Sequence, residues 1–144
     1  MTVIASDGVF VAADSLTTHS GGQRSLEPFQ KIYKYKGHVL AFSGAVSPYK
    51  HLIAWLVENE ADVEKLPKQL PAGWQMMHFT AECCWVYNDD LLYPDKHEYP
   101  CAFGTGAYYA IGALVAGAPL HKAITSAISL DTNCGGPIKK VKIT

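Results

Sequence analysis

In this 144-residue chain the residue best placed for chemistry is Thr2, because removal of Met1 would leave a hydroxyl and a free α-amine on one threonine. A threonine hydroxyl is a weak nucleophile until a base takes its proton, and the same residue's amine is one known solution. An unperturbed α-amine titrates at about 7.7 to 8.0, so near neutral pH a useful fraction can accept that proton. Threonine at position two is also commonplace, and alone it decides nothing. Two other groupings could carry chemistry. Gly104 and Gly106 follow a strand pattern and open a helix pattern, as a phosphate-binding loop would. A dinucleotide fingerprint, however, needs a βαβ unit and an acidic residue about twenty positions on, after another strand, and here a second helix intervenes. Cys134 or Cys101 with one of the six histidines could form a cysteine-hydrolase pair, but neither sits in a recognisable local signature.

The elements that must position Thr2 begin with two β-rich runs, residues 2–6 and 9–13, flanking Asp7-Gly8. A D-G pair between apolar strands predicts a hairpin. With a two-residue turn, Ser6 pairs with Val9, Thr2 lies opposite Ala13, and Asp14 ends up beside the N-terminus. Strict alternation would aim Asp14 away from the Thr2 side chain, so contact requires the strand to end there, a bulge, or a longer loop. Residues 14–28 read as a long irregular loop. Residues 31–36 and 38–43 predict a second hairpin turning at Gly37.

Ser47-Pro48 reads as a capping residue followed by proline at the first helical position, and Tyr49, Leu52, Ile53, Leu56 and Val57 continue a helix to about Asn59. A weaker helical stretch from Ala61 stops at Pro67, and 67–78 reads as a connection. Strands follow at 80–87, 91–93 and 99–103 as a meander, with turns at Asn88-Asp89-Asp90 and Pro94-Asp95. Gly104-Thr105-Gly106 leads into a helix to about Ala116, closed by Gly117. Ala118-Pro119 opens a second helix to about Leu130 with a buried stripe at Leu120, Ala123, Ile124, Ala127 and Ile128. Residues 131–136 form a turn, and Ile138, Val141 and Ile143 suggest a last strand. The order fits antiparallel sheet covered by helices rather than βαβ repetition.

Length and a hydrophobic content of 49% suit one compact domain over 1–144. A formal net charge of -1 provides no footprint for nucleic acid or an anionic membrane, and the three lysines at 139, 140 and 142 read as a solvated edge. With no long apolar run and no signal-peptide pattern, the expectation is an intracellular, cytoplasmic protein. Cysteines at 83, 84, 101 and 134 include no C-x-x-C pair and no histidine at finger-like spacing, so no metal site is expected and the thiols read as reduced.

Taken in order, "TVIASDGVFVAADS", "QKIYKY", "VLAFSGA", "FGTGAYYAIGALVAG" and "DTNCGG" resemble a proteasome β-type peptidase. The chain is similar to N-terminal-nucleophile (Ntn) hydrolases of the HslV or proteasome-subunit kind, with residues from about 46 to 98 matching in element order only. By that resemblance Thr2 matches the nucleophile, Asp14 the acidic residue ending the second strand, and Lys31 the buried lysine beginning the third. An ammonium near Thr2 would favour deprotonation of its amine and hydroxyl, and a carboxylate would hold that ammonium charged and oriented. Read locally, Lys31 is one of three lysines, with Lys34 and Lys36, in a strand with an exposed face, and Asp14 is a loop-starting aspartate.

Gly44 matches the position whose N–H binds the oxyanion of the tetrahedral intermediate, a donor worth about 2.7 to 4 kcal/mol in comparable sites; read locally it is a turn glycine. Thr105 matches a family serine, while Asp131 and Cys134 match the Asp and Ser of a D-x-x-S-G-G turn that packs hydrogen bonds around the terminal amine. Thr105 keeps a hydroxyl; the Cys134 thiol is a weaker donor and acceptor. Both Thr105 and Asp131 also suit a helix cap and a turn.

The resemblance implies an α+β fold, a four-layer αββα sandwich of two antiparallel sheets flanked by helices. It implies a threonine peptidase acting on polypeptide, with no cofactor, in a homo-oligomeric ring that in some relatives pairs with an ATP-driven unfoldase. The chain is roughly thirty residues shorter than a typical subunit, mostly in the helical middle. Two alternatives stay open: a non-catalytic ring or scaffold subunit, suggested by Cys134, and a small-molecule amidohydrolase.

Overall fold

The structure, a computed structural model, describes residues 2–18, 27–45, 47–90 and 94–144. The first hairpin joins β1 (Ile4–Ser6) to β2 (Phe10–Ala13), with Ile4 opposite Ala13 and Ser6 opposite Val11. The expected two-residue turn is therefore too short. Asp7 Oδ1 accepts the N–H groups of both Val9 and Phe10 at 2.9 Å, and the Ser6 hydroxyl donates to the Phe10 carbonyl at 2.7 Å, which closes a wider loop. The register slips by two residues, so each side chain keeps its face. Asp14, however, moves opposite Val3, whose carbonyl accepts the Asp14 N–H at 3.2 Å. Because β2 ends at Ala13, Asp14 is released from the strand's alternation.

The second hairpin forms as the sequence implies, from β3 (Ile32–Tyr35) and β4 (His38–Gly44). Both turn residues have positive φ, 48° at Lys36 and 81° at Gly37, the conformation that matches the twist of the flanking strands. The next stretch departs from expectation. Residues 74–78, read as part of a connection, belong to β5 (Trp74–Phe79), the central strand of its sheet. Its polar-apolar alternation is weak because it is buried on both faces, and it contains no β-branched residue.

Thr80 belongs to the turn rather than to the following strand, with its hydroxyl bonded to the Cys83 carbonyl at 2.8 Å. β6 spans Cys84–Asn88. The strand expected at 91–93 lies outside the described residues. Asp95, expected in a turn, begins β7 (Asp95–His97), an exposed and charged edge strand. β8 (Cys101–Phe103) does not continue the meander but crosses to the other sheet and pairs with β1.

The helices follow the sequence reading closely. Helix α1 is Tyr49–Glu58, starting one residue late because Pro48, not Ser47, occupies the cap and accepts the Leu52 N–H at 3.1 Å. Helix α2 (Ala107–Val115) ends before Gly117, φ 97°, and α3 (Leu120–Leu130) follows Pro119. The last strand is β9, Lys139–Lys142.

One sheet has the order β8-β1-β2-β9 and the other β3-β4-β5-β6-β7. Between them lies a core that includes Ile4, Val11, Ile32, Met77 and Phe103. Helices α2 and α3 cover the outer face of the four-stranded sheet through Val3, Ala5, Ala12, Ala123 and Ile124, while α1 covers the other through Leu40, Phe42, Leu52 and Met76. This is the expected αββα sandwich. No helix among the described residues is long and apolar enough to cross a membrane.

On the outer face of the five-stranded sheet, His38 Nδ1 meets His78 Nε2 at 3.1 Å. Burial and then the neighbouring His38 charge hold the His78 imidazole down to about 4 from an ordinary 6.5. A lowered folded value means that the native state resists a proton the unfolded chain accepts. The associated stability is present above about pH 6.5 and is lost as pH falls toward 4, by about 2 kcal/mol after allowance for the ring's partial exposure. Urea melts between pH 7 and 4 should show this slope, and His78→Gln should flatten it.

Candidate active site

Three sequence-predicted residues meet at one end of the sandwich. Thr2, Asp14 and Lys31 are 3%, 1% and 6% exposed, and they lie just before β1, just after β2 and just before β3. Lys31 Nζ donates to Thr2 Oγ1 at 2.5 Å and to Asp14 Oδ1 at 2.6 Å. The Thr2 hydroxyl donates to the same Asp14 oxygen at 2.8 Å, and the Val3 N–H does so at 3.1 Å. The other carboxylate oxygen accepts the Gly135 N–H at 3.0 Å. Lys31 therefore does not lie on the exposed strand face where the local reading grouped it with Lys34 and Lys36.

Burial pulls the Lys31 ammonium below the ordinary lysine range, and Asp14 works against that through its charge and its hydrogen bond. An ammonium in contact with a hydroxyl eases loss of its proton by stabilising the alkoxide, and the carboxylate serves by holding that ammonium in place.

Gly44 ends β4 with φ 74°, and its exposed main chain lines a cleft of about 90 Å³ together with Thr2, Lys31, Phe29, Phe42 and Ser43. A side chain there would place Cβ 2.1 Å from the Gly73 carbonyl oxygen, so glycine is required on two counts.

Thr105, Asp131 and Cys134 come together with one another and do not line that cleft. Asp131 ends α3, its Oδ1 accepting the Asn133 N–H at 2.8 Å, while the Cys134 thiol approaches Oδ2 at 3.5 Å. A hydrogen bond from the Thr105 hydroxyl, the largest of several causes, holds the Asp131 carboxyl below its usual range. Burial first, and then the charges of Asp14 and Asp131, push the Cys134 thiol up to about 12, so it stays protonated at neutral pH.

The link from this group to Thr2 runs through residues whose role the sequence reading did not assign. The Gly106 N–H donates to the Thr2 carbonyl at 3.1 Å. A Cβ on Gly104 would lie 2.3 Å from the Thr2 carbonyl oxygen, and one on Gly106 2.9 Å from Cys134 Sγ. Of the two glycines weighed as a phosphate loop, Gly104 instead lets main chain pack on main chain, and Gly106 makes room for the Cys134, Ala127 and Val3 side chains. Gly135 was missed likewise: it accepts the Ser15 and Leu16 N–H groups at 3.0 Å while its own N–H holds Asp14. Paired glycines in "GTG" and "CGG" were the available signal. All four cysteines are buried and free, and among the described residues no three His, Cys, Asp or Glu side chains converge as a metal would require.

No family model matches the sequence, and no curated protein does. Solved structures do match. Eukaryotic HslV from Trypanosoma brucei superposes with a TM-score of 0.72 at 17% identity, covering 98% of this chain and 97% of that one. The fold is HslV-like. Thiobacillus denitrificans BPH in complex with epoxomicin gives 0.64 at 18% identity over 100% of both chains, and BPH alone gives 0.64 at 16% over 99% and 98%. The HslV-like comparison reaches across the whole chain, including the middle region where the sequence offered element order alone.

Asp14→Asn should destabilise the chain by about 3 to 5 kcal/mol at pH 7, because it strands a buried ammonium without its carboxylate. Losing Asp14 removes the contributions that raise the Lys31 value, so the variant should regain stability as pH climbs toward the unfolded lysine value. Denaturant titrations at pH 7 and 9.5 would measure both effects. Equal stability of variant and parent at pH 7 would refute the buried-pair description. Gly104→Ala should cost at least about 2 to 4 kcal/mol, whereas Gly37→Asn, in open space, should stay within about 1 kcal/mol.

Proposed function

We propose that the chain is a threonine peptidase of the N-terminal-nucleophile type, acting as one domain over residues 1–144, with Thr2 as nucleophile once Met1 is removed. The observation that carries this reading is the buried contact of Lys31 Nζ with the Thr2 hydroxyl, backed by Asp14. A cation inserted between two sheets at the one residue able to supply both nucleophile and base is hard to account for by stability alone, since buried ion pairs contribute little of it.

In the proposed reaction the Thr2 hydroxyl oxygen attacks a peptide carbonyl, and its proton passes to the freed α-amine directly or through water. Lys31 acts by its field, lowering the energy of the alkoxide, and Asp14 holds Lys31 in place. The Gly44 N–H would donate to the oxyanion. The amine returns its proton to the leaving nitrogen, and water then releases the acyl group. Thr105 and Asp131 would order the surroundings of the new amine, with Cys134 contributing only a weak donor. The chemistry asks for no metal or organic cofactor.

Polypeptide substrates, a homo-oligomeric ring and an ATP-dependent unfoldase partner in the cytoplasm follow from the likeness to HslV. The complex of BPH with epoxomicin suggests a direct probe. Mass spectrometry of the native N-terminus, followed by treatment with an epoxyketone or β-lactone, should show Met1 removed and a covalent adduct on Thr2. Casein hydrolysis should fall on the order of 10³-fold or more in Thr2→Ala and survive in Thr2→Ser. A retained Met1 with no turnover would replace this reading with a scaffold subunit, and turnover of small amides but not casein with an amidohydrolase.

A further inference from the structure

The strands β3 and β9 are edge strands of different sheets, and a groove of about 530 Å³ runs between them, lined by Gln30, Ile32, Lys139, Lys140 and Val141 among others. The register decides which amides face it. Ile143 N–H bonds to the Val9 carbonyl at 2.9 Å, and inward and outward residues alternate along an antiparallel ladder. Val141 and Lys139 therefore turn their main chain toward β2, while Lys140 and Lys142 turn theirs outward. The outward Lys142 carbonyl is met by Lys34 Nζ at 3.4 Å.

On the facing edge the Lys31 carbonyl accepts the Phe42 N–H at 3.1 Å, which makes Ile32 and Lys34 the outward residues of β3. The Ile32 carbonyl is covered by Gln30 Nε2 at 2.9 Å. Among the described residues that line the groove, Lys140 is left as the one whose N–H and C=O both turn outward, spaced to pair with one residue of an added strand.

The charge of the groove is one-sided. Residues 28–36 and 137–144 hold six lysines and no Asp or Glu, in a chain whose net charge is -1. Lys31 is paired with Asp14 and Lys36 with Glu58, which leaves Lys34, Lys139, Lys140 and Lys142 to set the sign. Lysines on an edge strand ordinarily repel further strands, and a second copy of this basic edge would be turned away in that manner. An acidic strand is the kind the same lysines admit.

We infer that the groove docks an extended acidic peptide segment of another polypeptide, which adds as a strand along β9 through the Lys140 amide and pairs its carboxylates with Lys34, Lys139 and Lys142. The inference does not rest on Thr2 chemistry and holds for the full chain whether or not it hydrolyses peptides.

Fluorescence anisotropy with a labelled ten-residue peptide of alternating Glu and Val, added to the full chain, tests it. Binding is expected, weakening at least tenfold in Lys139→Glu/Lys140→Glu and with added salt, and absent for a Lys/Val peptide. Lys140→Pro removes an outward N–H that β2 does not use, so it should fold, and it should bind at least fivefold more weakly than Lys140→Ala. Alternate N-methylation of the peptide reports on the same main-chain bonds without changing the protein, and should weaken binding likewise. Equal affinity of methylated and unmethylated peptides would overturn strand addition. So would displacement by a ten-nucleotide RNA at matched charge, which would make the groove a general polyanion site. Self-association through β9 without peptide binding would overturn the choice of occupant.

Discussion

A buried ammonium constrains this molecule more than any other single group. Lys31 enters from the edge of the five-stranded sheet and ends against residues of the other sheet, where little water can solvate it. Leaving such a charge unpaired costs several kcal/mol, so Asp14 must sit within reach, and Asp14 in turn needs its four donors. Three come from Thr2, Val3 and Lys31 on one oxygen and the fourth from Gly135 on the other. The ends of β1 and β2, the start of β3 and the 131–136 turn are thereby drawn to one point, which fixes how the two sheets sit on each other at that end.

Close approach of main chain is the second requirement. Gly104 and Gly106 press against Thr2 and Cys134, Gly44 against Gly73, and Gly136 against Ser15, each at a distance no Cβ would tolerate. The Gly104 contact, together with the Gly106 N–H bond to the Thr2 carbonyl, acts on the backbone leading into the first strand and so holds Thr2 where Lys31 can reach its hydroxyl. Cys134 in this setting is a packing group: buried, protonated, and lodged under Gly106.

Segment 28–32 has two faces with different characters. Phe29 and Lys31 line the cleft beside Thr2, and Pro28 through Ile32 also wall the basic groove at the sheet edges. The partly apolar cleft and the lysine-rich groove are thus neighbours separated by one stretch of backbone. Much of the basic charge in the tail, which on sequence alone is a solvated edge, lies along this wall.

Periodicity and local turn chemistry determined a good deal here without any tertiary information. The positions of α2 and α3, the Lys36-Gly37 hairpin and the layered antiparallel class all follow from residue spacing, since amphipathic helices and type I′ turns are local in origin. Thr2 as a candidate nucleophile was legible because its chemistry depends on position two alone. Lys31 and Asp14 were legible only by likeness, because a lysine in a lysine-rich strand reads the same on a wet face as in a buried seam. Only tertiary structure could decide that β5 is a strand, since burial on both faces erases the alternation that marks one, and that β8 leaves the meander to pair with β1. It also decided the two-residue slip that brings Asp14 opposite Val3. That slip is invisible to side-chain alternation, whose period is itself two, and depends on hydrogen bonds from Asp7 and Ser6 that only the folded loop makes.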